Sequence, residues 1–178
     1  MRYRIRITIF ALLTALSCSS ASVVAETNPL SSSRVLAQKS AGFNADAVES
    51  LIKKGDSAAS SGKLEEAKKN YDQARSASKQ LLSFYRDLSG AFRGLDARIP
   101  REMDAKGRRV LGLLAKTNLR LAALFRRQNQ PEIAVPVLVE VVRLMSPAKP
   151  EGQKAYQRLL ELGFVETPYS SADRKSFN

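Results

Sequence analysis

The chain has no histidine and no tryptophan, and its one cysteine stands at position 18. Without histidine it lacks the commonest general base and the commonest metal ligand. A lone cysteine near the N-terminus leaves the body of the chain without a disulfide or a thiolate zinc set. No serine sits in a G-x-S-x-G frame, and there is neither a P-loop nor a G-x-G-x-x-G turn. Carboxylates lie scattered among Lys and Arg, as solvated ones do, and no acidic cluster suggests a metal. Glu65 and Glu66 read as first-turn acids at a helix start. These absences predict a non-enzymatic protein with no cofactor.

Long apolar runs are also missing. The longest, Ile7 to Leu16, follows Arg2, Arg4 and Arg6 and is followed by small residues ending in "VVA" before Glu26. That is the layout of a secretory signal peptide over residues 1–25, and the run is too short for a bilayer span of about 20 residues. The alternative is an uncleaved N-terminal anchor. A second cleavage frame exists: "TALSC" loosely resembles a lipobox with Ala15 at the usual Leu place, which would leave Cys18 to carry lipid. Either frame implies export, to a periplasm or a thylakoid lumen.

Positive charge is abundant. The formal charge is +12, and cleavage after Ala25 removes three Arg and no acid, leaving +9. For an exported protein this favours acidic protein segments or anionic lipid surfaces over nucleic acid.

The remainder divides into a Ser-rich leader (26–43), a helical domain (44–164) and a polar, mobile tail (165–178). Asn44 is an N-cap, with Phe43 and Val48 at staple spacing, and helix 1 runs to about Ser60. Helix 2 starts near Lys63. Leu64, Ala67, Tyr71, Ala74, Ser78, Leu81, Tyr85, Leu88, Phe92 and Leu95 follow in unbroken steps of three and four, which predicts one helix to Leu95. Gly90 and Gly94 weaken its end. Leu95 to Pro100 is the turn. Helix 3 runs from about Arg101 to Gln128, with Met103, Val110, Leu114, Leu121 and Phe125 on one face. Pro131 opens helix 4. Its "VPVLVEVV" is β-branched and alternating, so a strand competes, but no second strand signal exists for it to pair with. Helix 5 covers about Glu151 to Leu162 and ends at Gly163–Phe164.

The stretch "LIKKGDSAASSGKLEEAKKNYDQA" places small residues where bulk is expected. Gly55, Gly62, Ala67, Tyr71 and Ala74 resemble the tetratricopeptide repeat (TPR), with Leu51 at the Trp place and Lys54, Ala58 and Lys79 departing from it. A second copy carries Leu121, Ala122, Phe125, Asn129, Ala134 and Leu138, with Asn118 at the Trp place and Pro147 one residue late. Ala67 and Ala134 are 67 residues apart, close to two repeats of about 34. The blocks "FRGLDARIPREMDAKGR" and "RLMSPAKPEGQKAYQRLLELGFVETPY" are similar to an exported helical family of cyanobacteria. The competing reading is an ordinary helical bundle with Ala at close contacts. Together these features predict an all-α fold of antiparallel helical hairpins, TPR-like, of about five helices with an extended central pair.

Four cations of helix 3, Arg109, Lys116, Arg120 and Arg127, fall within about 40° of one another on the helical wheel. They read as a mutually repelling stripe for an anionic partner, or as a solvated basic face. The TPR resemblance implies a concave groove lined by first helices. It also implies a carboxylate clamp, in which Lys116 and Arg120 match the paired cations and Asp56 stands where the clamp has Asn. The candidate partner-binding residues are therefore Lys116, Arg120, Arg127, Arg109 and Asp56. Their partner is a protein or acidic peptide segment, with docking on anionic lipid as the alternative.

Overall fold

The computed structural model describes residues 42–169. The expected signal peptide over residues 1–25, Cys18, most of the expected leader and the end of the tail lie outside the described residues. Those described are 79% helical and hold no strand. Five helices follow one another: α1 (Ala45–Ser60), α2 (Leu64–Ala91), α3 (Arg98–Arg127), α4 (Pro131–Met145) and α5 (Pro150–Glu161). Short turns make each helix antiparallel to the next. α1 packs on α2, α2 on α3, α3 on α4 and α4 on α5, while α3 also touches both α1 and α5. The odd-numbered helices thus share one side of the array.

Local chemistry explains the boundaries. The Asn44 side chain accepts the Ala47 N–H at 2.8 Å and starts α1. Of the predicted small-residue positions, Gly55, Ala58, Ala67 and Ala74 are buried in the first hairpin and Ala122 and Ala134 in the second, while Gly62 is exposed in the turn between α1 and α2. A Cβ on Gly55 would stand 2.4 Å from Tyr71 Cε1, so the small residue is what lets α1 and α2 approach. α4 is a helix throughout, because Ala134, Val137, Leu138 and Val141 at helical spacing bury against its neighbours. Tertiary packing overrides the β-branched alternation there. The end of α5 closes as expected, with the Gly163 N–H donating to the Leu160 carbonyl and the Phe164 N–H to that of Leu159.

Two expectations need correction. Helix 2 does not run to Leu95. α2 ends at Ala91, Phe92 to Ala97 form the turn, and Leu95 is 80% exposed. The repeat ends four residues early, at the two late glycines, where among the described residues no third helix covers the tip. At about 1.5 Å per residue, α2 is still about 42 Å long. The start of the tail is also tied down: the Tyr156 hydroxyl donates to the Thr167 carbonyl at 2.7 Å, and the Tyr156 and Tyr169 rings meet edge to face.

Candidate functional site

α3 supplies the first wall of the site. Its inner face buries Met103, Val110, Leu114, Leu121 and Phe125, which leaves Arg109, Lys116, Arg120 and Arg127 near the odd-helix side. The four do not stand as a repelling row. Arg109 bonds Asp46 at 2.6 Å and reaches Glu49 at 3.5 Å. Arg120 holds Asp56 through two nitrogens, at 2.8 and 3.4 Å. Arg127 donates to the Ala59 carbonyl at 3.1 Å. All these acceptors come from α1, in parallel register with α3. Among the described residues, Lys116 alone of the four has no bonded partner.

Asp56 is engaged on both sides, since it also accepts the Tyr71 hydroxyl at 2.7 Å. Burial, and then the Asp56 carboxylate, push the Tyr71 phenol well above its ordinary value. Arg109 is held charged beyond its ordinary range by its bond to Asp46.

α5 supplies the opposite wall. Between α3 and α5 lies a groove of about 400 Å³, lined by Arg109, Lys116 and Arg120 on one side and by Glu151, Lys154 and Arg158 on the other. Leu113, Leu119 and Pro150 give it an apolar lining. The half-buried Arg158 guanidinium donates to the Leu119 carbonyl at 2.7 Å. Burial, and then repulsion by Arg126, draw it below its ordinary value.

No family model, curated protein or solved structure matches this chain. The functional reading therefore rests on geometry. Three of the predicted residues, Arg109, Lys116 and Arg120, come together in the groove. Arg127 lies outside it, and Asp56 serves as an internal anchor for Arg120. Lys154, Arg158 and Glu151 were missed. The signal for two of them was present: "KTNLR" on α3 and "KAYQR" on α5 share the Lys-x3-Arg spacing, which puts both cations of each on one helix face. Among the described residues no group of three His, Cys, Asp or Glu could hold a metal, and no helix is long and apolar enough to cross a membrane.

Proposed function

We propose that the chain is an exported, non-enzymatic protein-binding module, a scaffold or assembly factor on TPR-like hairpins. It holds an acidic segment of a partner protein in the groove between α3 and α5. The observation that carries this reading is the groove itself: five cations from two helices surround an apolar strip, with Glu151 as the one carboxylate in its lining. Such a site offers an acidic peptide both charge complementarity and a place for an apolar side chain. Export rests on the layout of residues 1–25. Crosslinking in the source cell followed by mass spectrometry is the test. One predominant protein partner is expected, with crosslinks to Lys116 or Lys154, and its capture by the purified chain should fall at high salt. Crosslinks scattered over the whole surface, with no enrichment at the groove, would remove the reading.

The arm tip supports a second reading, docking on anionic lipid. Leu95 projects there beside Arg93, Arg98 and Arg101, although Arg98 is bonded to Asp96. Each Lys or Arg close to an anionic surface contributes about 1 kcal/mol at low salt. Sedimentation with phosphatidylglycerol vesicles decides it: binding that the Leu95→Asp variant loses favours lipid, and no binding at low salt removes it.

A further inference from the structure

The cations of the groove are unequally engaged, and that difference identifies what fits between them; the argument rests on the groove being a site for an acidic segment. Arg109 and Arg120 are already matched to Asp46, Glu49 and Asp56. Lys116 and Lys154 are exposed and, among the described residues, have no ion-pair partner. Arg158 is bonded only to a neutral carbonyl. These three cations face the one carboxylate of Glu151, so two positive charges are left uncompensated. A single chain-terminal carboxylate supplies only one negative charge.

The register of the walls completes the case. α3 and α5 are each antiparallel to α4 and so run parallel to each other. The Arg158–Leu119 bond sets Arg158 beside Arg120. Lys154 lies one turn before Arg158 and Lys116 one turn before Arg120, so the two lysines hold matching helical positions, and both line the groove from opposite walls. Leu113 and Leu119 line the space between.

We infer that the groove takes an acidic segment carrying two side-chain carboxylates beside an apolar residue, gripped by Lys116 and Lys154 from opposite walls. Arg120, fixed by Asp56, is a positioning residue. The ligand then bridges α3 and α5 and clamps the last hairpin shut.

The probe is a fluorescein-labelled, amide-terminated peptide of alternating Glu and Leu, titrated by anisotropy at low salt against the full chain. K116Q and K154Q are each expected to weaken binding about 10-fold, the loss of one charge-assisted bond. K154R should restore most of it, and R108Q, on another flank of α3, should change it less than about 2-fold on the same scale. Amide exchange in α5 should slow when the peptide binds. The seating is overturned if K154Q binds like the parent while the K116Q/R120Q pair does not. It is also overturned if R108Q loses as much as K154Q, if a neutral peptide with a free carboxyl end competes equally well, or if phosphatidylglycerol vesicles displace the probe. A parent chain that binds no acidic peptide overturns the proposed function, and the seating with it.

Discussion

Gly55 and Tyr71 show how one residue sets the distance between two helices. Tyr71 is 2% exposed, and its ring fills the space that a Cβ on Gly55 would take, with Cε1 and Cδ1 at 2.4 and 2.6 Å from that position. It cannot retreat, because its hydroxyl is tied to Asp56. Gly55→Ala should therefore destabilise the chain by about 2 kcal/mol, despite the better helix propensity of Ala, because the ring and the hairpin must shift together. Urea unfolding measures this, and Gly90→Ala, at an exposed helical site with open space around it, should be neutral or stabilising. The same pair predicts an alkaline effect. A tyrosine in the unfolded chain ionises near pH 10, whereas burial and the Asp56 carboxylate keep the folded phenol neutral above that. The stability from this group is fully present below about pH 10 and is lost as pH rises beyond it. Tyr71→Phe should be less stable at pH 8 and should decline less steeply than the parent between about pH 10 and 11.

The helices were more legible in the sequence than the ends of α2 and the arm. Steps of three and four from Leu64 to Leu88 mark one inward face, and every step is buried or half-buried. The pattern could not say where covering helices run out. Phe92 and Leu95 keep the spacing, but α1 starts opposite Phe84, where the Phe43 ring meets it, and beyond that level α3 alone among the described helices covers α2, as where Ser89 bonds Asp104. α4 was ambiguous for the opposite reason: its alternation fits a strand, and only the presence of α3 and α5 on both sides makes the helix pay off in burial. Contacts between hairpins were invisible, because they join residues far apart in the chain. Glu140 of α4 accepts bonds from Arg75 and Lys79 of α2, with Lys79 at 2.8 Å. Burial raises its pKa, but the bonds from Lys79 and Arg75 outweigh this and hold it below the ordinary range. Its contribution is present above about pH 4.3, the unfolded value, and is lost as pH falls below it. Glu140→Gln should cost about 1 kcal/mol at pH 7. The gap from the parent should narrow below about pH 4, as followed by thermal unfolding across pH.

For the whole molecule, the excess of positive charge is arranged rather than merely present. The wheel of α3 put Arg109, Lys116, Arg120 and Arg127 on one flank, and the first three of these line the groove. It could not separate cations that hold the fold from cations that face outward, since that depends on α1. Asp46, Glu49 and Asp56 lie three and seven residues apart on one face of α1, a spacing visible in the sequence but meaningful only once α1 is known to run parallel to α3. The stripe therefore splits into two classes with opposite predicted behaviour. Removing Arg120 leaves Asp56 without its cation beside a buried tyrosine, so Arg120→Gln should cost about 1 kcal/mol, a fall in Tm of about 4 °C for a domain of this size. Lys116 and Lys154 stand near Arg158 and bond no acid among the described residues, so neutralising both should leave Tm unchanged or raise it slightly by relieving repulsion. The expected fall for Arg120→Gln should shrink as sodium chloride is raised, because the pair it breaks is partly exposed and screened. Circular dichroism melts of the two variants at low and high salt check this. If the Lys116/Lys154 variant melts lower than Arg120→Gln, the groove lysines are part of the scaffold, and the division between structural and ligand-facing cations is wrong.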